Sequence, residues 1–219
     1  MKTIVVKVGG AVGATAAQQI RDLHAQGRVV VVHGAGRQIS EEMKCRGIPV
    51  DFVDGRRVTT PEAMDVVRES LAAVNAEIAA AIGDDALPFP GPILSAIRIP
   101  ELGLVGRPLP AVPKLILDGL TCAAIPVVAP LAYGPMNVNA DEAADALALA
   151  LSAERLLFLT DVPGVLLEGE VLPELDADEA ERLIVEGTFT DGIVPKLLAA
   201  ARSARRGIRT EIGQTLVTA

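Results

Sequence analysis

Two short glycine-rich stretches stand near the start of the chain, the first of them with a lysine. KVGG, Lys7 to Gly10, ends one apolar run, and HGAG, His33 to Gly36, ends another. Glycine weakens a strand but frees the backbone for a tight turn and lets a ligand approach the main chain. Gly9 and Gly10 in the first turn, and Gly34, Ala35 and Gly36 in the second, offer backbone N–H groups to an anion. Lys7 adds one positive charge. Neither stretch matches GxGxxG or the GxxxxGK[ST] phosphate loop, and either alone reads equally well as a tight turn. Together they favour an anion site.

Three later stretches add polar partners. GRRVT places Arg56 and Arg57 in an extended segment, where neighbours face opposite sides, so one of them is expected in a pocket. There a guanidinium would grip a carboxylate bidentately. In MNVNADEAADALA, Asn137 and Asn139 share one face, suited to polar substrate groups, although Asn139 also reads as an ordinary helix N-cap. Asp141 falls in the first helical turn, a common place for an acid, from which it could orient lysines without touching phosphate. TDGIVPK puts Thr190, Asp191 and Gly192 at a helix start, with Lys196 about one turn on; a lone lysine there is normally a solvated charge.

Composition narrows what these groups can serve. The chain has 219 residues, half of them hydrophobic, with four Phe, one Tyr and no Trp. An aliphatic core is therefore expected, without base-stacking platforms. The net charge of −8 argues against nucleic-acid and membrane surfaces. Cys45 and Cys122 show no CxxC spacing, so they read as buried or incidental thiols rather than a disulfide framework or zinc site. The N-terminal apolar run is too short for a signal peptide or membrane span, and the expectation is a soluble cytoplasmic protein.

The elements that must position these residues alternate. TIVVKV and RVVVVH are continuous apolar runs, apolar on both faces, as parallel strands covered by helices on both sides require. Helices are expected at about 15–26, 38–46, from Pro61 through Ile82, over PKLILDGL, and at 140–153, 177–186 and 193–205. Asp54-Gly55 marks a hairpin. Val67, Leu71, Val74, Ile78 and Ile82 form one apolar stripe. The proline-rich segment 84–113 is expected to hold short strands near 93–97 and 103–105. Strands follow in AAIPVVAPLAY, RLLFL, RTEI and QTLVT. The alternation predicts an α/β, three-layer αβα sandwich with a mainly parallel open sheet.

Taken in order, KVGG, HGAG, GRRVT, PMNVNADEAADALA, LTDVPGV and TFTDGIVPK resemble the amino acid kinase family nearly end to end, and most closely its acetylglutamate kinases. The resemblance implies ATP, with Mg²⁺, as phosphoryl donor to the side-chain carboxylate of N-acetyl-L-glutamate in arginine biosynthesis. It implies two lobes in one domain, 1–134 for the acyl-amino acid and 135–219 for the nucleotide. Lys7 and Lys196 would neutralise phosphate charge, Asp141 would orient both lysines, and the two glycine turns would bind the transferred phosphoryl group. Arg57 would bind an acyl-glutamate carboxylate, Asn137 and Asn139 would complete the acceptor site, and Asp161 would lie in the nucleotide pocket. No protein-held metal is implied, and the partner is a small-molecule substrate. Three departures from the family pattern stand out: Ala35 in place of a third glycine, ALPFPGPILSAI in place of a glycine-rich stretch, and a short GIRTEIGQTLVTA end. The start directly at the first strand suggests an arginine-insensitive homodimer. The alternatives are a kinase for another carboxylate, such as carrier-linked aminoadipate, and a non-catalytic nucleotide or amino-acid binder.

Overall fold

The computed structural model describes residues 2–9, 14–160, 162–190 and 192–219. Gly10, Asp161 and Asp191 lie outside the described residues. Its main sheet and helices follow the chain as β1 (Thr3–Val8), α1 (Ala14–His24), β2 (Arg28–His33), α2 (Gly36–Cys45), α3 (Pro61–Ile82), β3 (Ala86–Phe89), α4 (Lys114–Thr121) and β4 (Ile125–Val128). There follow α5 (Ala140–Ala150), β5 (Arg155–Phe158), β6 (Glu174–Asp176), α6 (Ala177–Val185), α7 (Ile193–Ala204), β7 (Arg209–Ile212) and β8 (Thr215–Thr218).

The eight strands lie in the order β6-β8-β7-β5-β1-β2-β4-β3. Neighbours pair in parallel throughout, except for the antiparallel β7–β8 hairpin. Strand alternation sorts the aliphatic side chains into two buried layers. Val5, Val30 and Val32 pack with residues of α4 to α7, whereas Ile4, Val6, Val29 and Val31 pack with residues of α1 to α3. This is the expected three-layer αβα sandwich. None of the described helices is long and apolar enough to cross a membrane.

The long helix α3 starts where Thr60 accepts a hydrogen bond from the Ala63 N–H at 3.2 Å, with Pro61 at its first position; this is the N-cap chemistry that proline at N1 accompanies. All five residues of its predicted stripe are buried. The 84–113 segment differs from the reading: its strands are Ala86–Phe89, Ala96–Arg98 and Val105–Pro108. Pro88 obscures the first, yet β3 is an edge strand with β4 as its sole neighbour, and an edge tolerates a missing N–H. The other two join Met136–Val138 and Leu131–Ala132 in a separate four-stranded sheet. A small hairpin, Leu166–Leu167 with Glu170–Val171, and β6 were also not anticipated. Cys45 and Cys122 are free, but exposed rather than buried.

Candidate active site

Strand geometry aims Lys7 at the right layer. Two residues after Val5 on β1, it leaves the same face of the sheet, toward α5 and α7. Asp141 is the second residue of α5, and Lys196 sits in the first turn of α7. One carboxylate oxygen, Asp141 Oδ1, lies 3.0 Å from Lys7 Nζ and 3.1 Å from Lys196 Nζ. All three side chains are only 11–12% exposed. Burial alone would push the Asp141 carboxyl up, but Lys7 and Lys196 outweigh it and hold the carboxyl below its ordinary value. Burial is the main cause lowering the Lys196 pKa, with Asp141 opposing and Lys7 assisting. Lys196 Nζ also lies 5.4 Å from the ring centroid of Phe158, within cation–π range. Two ammoniums on one carboxylate leave a positive surplus in a half-dry place, which suits an anion.

Both glycine turns stand at carboxyl ends of strands, where open α/β sheets bind ligands. Their details differ from the sequence reading. The Gly34 N–H donates to the Val8 carbonyl at 3.1 Å, so the sheet already takes that donor. Ala35 is the N-cap residue of α2 and is buried in the α1–α3 layer. Gly36 opens α2, where the first N–H groups have no intrahelical acceptor. A Cβ on Gly9 or Gly36 would meet nothing within 4 Å, so open space lies beside both.

The hairpin Phe52–Val53 with Arg56–Arg57 turns through Asp54 and Gly55, both at positive φ. Arg57 is buried, and burial lowers its pKa. It donates to the Gly36 carbonyl at 2.9 Å and Ser40 Oγ at 2.8 Å, with the Phe52 ring 4.6 Å from its guanidinium carbon. Arg56 instead forms a two-point pair with Glu142. Asn137 Nδ2 donates to Thr59 Oγ1 at 3.1 Å. Asn139 is the N-cap of α5: its Oδ1 accepts from the Asp141 and Glu142 N–H groups, while Nδ2 donates to the Gly55 carbonyl. Both ends of that amide are engaged in tying the hairpin to α5.

These elements enclose a cavity of about 180 Å³. Lys7, Asp141, Arg56, Arg57 and Asn137 line it, together with Asn139 and the Gly34–Gly36 turn. A larger one, about 600 Å³, adjoins it and shares Gly36, Phe52, Gly55, Asn139 and Asp141, adding Gly192, Val194 and Pro195 from the start of α7. Lys196 enters through its ion pair with Asp141. Phe52 and Ser40 carry no motif and escaped sequence reasoning, as did Glu142, although it stands within MNVNADEAADALA. The signal for Glu142 was its place beside Asp141 in the helical first turn. The arrangement can hold two anions side by side, one at the lysines and one at the guanidiniums.

The family model described as the amino acid kinase family matches residues 2–214. An acetylglutamate kinase of Rubrobacter xylanophilus is 41% identical, over 97% of this chain and 88% of that protein. Among solved structures, smu.665 from Streptococcus mutans superposes with a TM-score of 0.88 at 28% identity, covering 99% of this chain and 98% of that one. N-acetylglutamate synthase from Neisseria gonorrhoeae, complexed with coenzyme A and N-acetyl-glutamate, superposes with a TM-score of 0.82 at 21% identity, over 100% of this chain and 59% of that one; this likeness speaks for the fold alone.

Proposed function

This chain belongs to the amino acid kinase family, and from that premise we propose that it transfers the γ-phosphoryl group of ATP to the side-chain carboxylate of N-acetyl-L-glutamate, in arginine biosynthesis. The observation that carries the reading is the Lys7–Asp141–Lys196 cluster on the wall of a cavity that also holds Arg56 and Arg57. Relatives named acetylglutamate kinase support the same acceptor.

The chemistry suits these residues. A carboxylate is ionised at neutral pH and is itself the nucleophile, so no general base is needed. Its oxygen bonds to the γ-phosphorus while the bond to the ADP oxygen breaks, leaving an acyl phosphate and ADP. The obstacle is repulsion between two anions, and catalysis is positioning plus charge stabilisation. Lys7 and Lys196 neutralise the phosphoryl oxygens, and Asp141 holds both ammoniums without contacting phosphate. The open backbone at Gly9 and Gly36, with the N-terminus of α2, receives the transferred group. Gly10, of the first turn, and Asp161, assigned to the nucleotide, belong to the same reading. Arg57 takes the acceptor's other carboxylate beside Asn137, and Asn139 holds the hairpin over the site. Residues 1–134 serve the acyl-amino acid and 135–219 the nucleotide. Mg²⁺ enters with ATP, as part of the substrate.

ADP release with N-acetylglutamate, glutamate and aminoadipate supplied separately tests the reading. Turnover with acetylglutamate alone is expected. No turnover on any acceptor, with ATP still bound, would overturn it. A cytoplasmic homodimer completes the proposal, and light scattering of the purified chain checks the dimer.

A further inference from the structure

Alternation along a strand predicts one arginine of the Arg56–Arg57 pair in the pocket, yet both line it, and Arg56, with Glu142, also lines a neighbouring cavity beside Arg107, Asp145 and Arg202. We propose that Arg56 is a second carboxylate-binding residue of the acceptor site, set in place by Glu142; this rests on the acceptor reading above. Donor accounting favours it. A guanidinium has five N–H donors. Arg57 spends three of them, on the Gly36 carbonyl, Ser40 Oγ and, at 3.4 Å, Met43 Sδ. Phe52 covers its ring-side face. Two donors remain for a ligand. Arg56 spends two, Nε–H to Glu142 Oε2 at 3.1 Å and one Nη2–H to Oε1 at 2.5 Å, and keeps three.

Glu142 is itself held. It lies in the first turn of α5, and its N–H is capped by Asn139. A two-point contact from a fixed helix fixes the plane of the guanidinium. The pair is 20% and 13% exposed, so Arg56 is not a freely solvated surface charge. Arg56 also cancels the carboxylate of Glu142, which would otherwise repel an anionic acceptor beside Asp141. A dicarboxylate whose reacting end meets Lys7 and Lys196 presents its other end to Arg56 and Arg57. Discrimination between that α-carboxylate and a neutral group in its place then depends on both guanidiniums.

The test compares N-acetylglutamate with its α-carboxamide analogue, which keeps the reacting carboxylate. Wild type, Arg56→Met, Arg56→Lys and Glu142→Gln are each assayed for turnover and for direct binding by calorimetry. Arg56→Met should raise the KM for the diacid about tenfold or more, with kcat changed far less. It should barely affect the α-amide, so the preference for the diacid shrinks by the same factor. Arg56→Lys keeps the charge but loses the fork, and Glu142→Gln keeps the arginine but loosens it; each should fall between. Equal loss on both acceptors, or no change on either, overturns the role of Arg56. Failure of the wild type to release ADP, with binding of the diacid still weakened by Arg56→Met, overturns the kinase reading and leaves the carboxylate site standing.

Discussion

Lys196 was nearly invisible in the sequence, because a single lysine one turn into a helix is normally a solvated charge. Its importance comes from Asp141, 55 positions earlier, and from Lys7 at the other end of the chain, a tertiary arrangement that no local pattern specifies. Three spaced segments with Asn, Asp and Lys were legible; their convergence on one carboxylate oxygen was legible only through the family resemblance. If Lys196 stabilises charge that grows in the transition state, Lys196→Ala should lower kcat on the order of 10²–10³-fold. The KM for acetylglutamate should move much less, as steady-state ADP release will show. Removing the orienting group should act on both lysines, so Asp141→Asn should cost at least as much in kcat. The pH profile gives a third check. Burial lowers the Lys196 pKa, so on raising the pH its charge is lost earlier than that of an ordinary lysine. An alkaline fall in kcat is expected below the usual lysine range. Lys196 is assigned to the phosphoryl group rather than to the acceptor, so the KM for acetylglutamate should rise less steeply over the same range.

At the scale of elements, the site is assembled from strand ends and helix starts, and these were the most legible parts of the chain. Continuous apolar runs give β1 and β2, and glycines mark their exits. Asn139 reads correctly as a cap. Proline hid what it permits: β3 with Pro88 was missed because a proline there argues against a central strand, whereas its place is the sheet edge. A buried polar contact also interrupts the stripe of α3. Asn75 donates to His33 Nε2 at 3.0 Å and to the Val127 carbonyl at 2.9 Å, joining α3 to the ends of β2 and β4. With both amide hydrogens used, His33 Nε2 is an acceptor and Nδ1 carries the proton, facing the Gly34 carbonyl at 3.4 Å. Burial lowers the His33 pKa from 6.5 to about 4. Between those values the unfolded chain binds a proton that the folded chain refuses, so the stability held above pH 6.5 is lost as pH falls. Going from pH 7 to pH 5 should cost about 2 kcal/mol, read as a lower urea midpoint. His33→Gln should flatten that slope, and an equal slope in the variant would acquit the histidine. The hairpin offers a further test. A Cβ on Gly55 would collide with Pro195 Cγ, and its φ of +73° already favours glycine. Gly55→Ala should therefore lift the hairpin off α7 and raise the acceptor KM more than tenfold.

Across the whole molecule, a chain of net charge −8 is proposed to bind two anions. The site resolves this locally: among the described residues Lys7 and Lys196 pair with Asp141 and Arg56 pairs with Glu142, while Arg57 adds a guanidinium with no carboxylate partner. Those cations come from β1, the hairpin and α7, and the carboxylates from α5, so the unliganded site keeps like charges together using segments from the entire chain. Anions that fill it should therefore stabilise the fold as a unit, because unfolding disperses every contact at once. A ligand at a hundredfold excess over its Kd adds about 2.7 kcal/mol. For a chain of this size, each kcal/mol raises Tm by about 2–4 °C. Saturating acetylglutamate with a non-hydrolysable ATP analogue and Mg²⁺ should thus raise Tm by about 5 °C or more in a single sharpened transition. Salt separates this from surface binding. At about 0.5 M the Debye length is only about 4 Å, and exposed pairs are screened while partly buried ones persist. The Tm shift should survive that salt in the wild type and shrink in Asp141→Asn, whose lysines have lost their shared anchor. A shift that vanishes with salt in the wild type would place the anions on the outer surface instead, and the cluster could not then be their site.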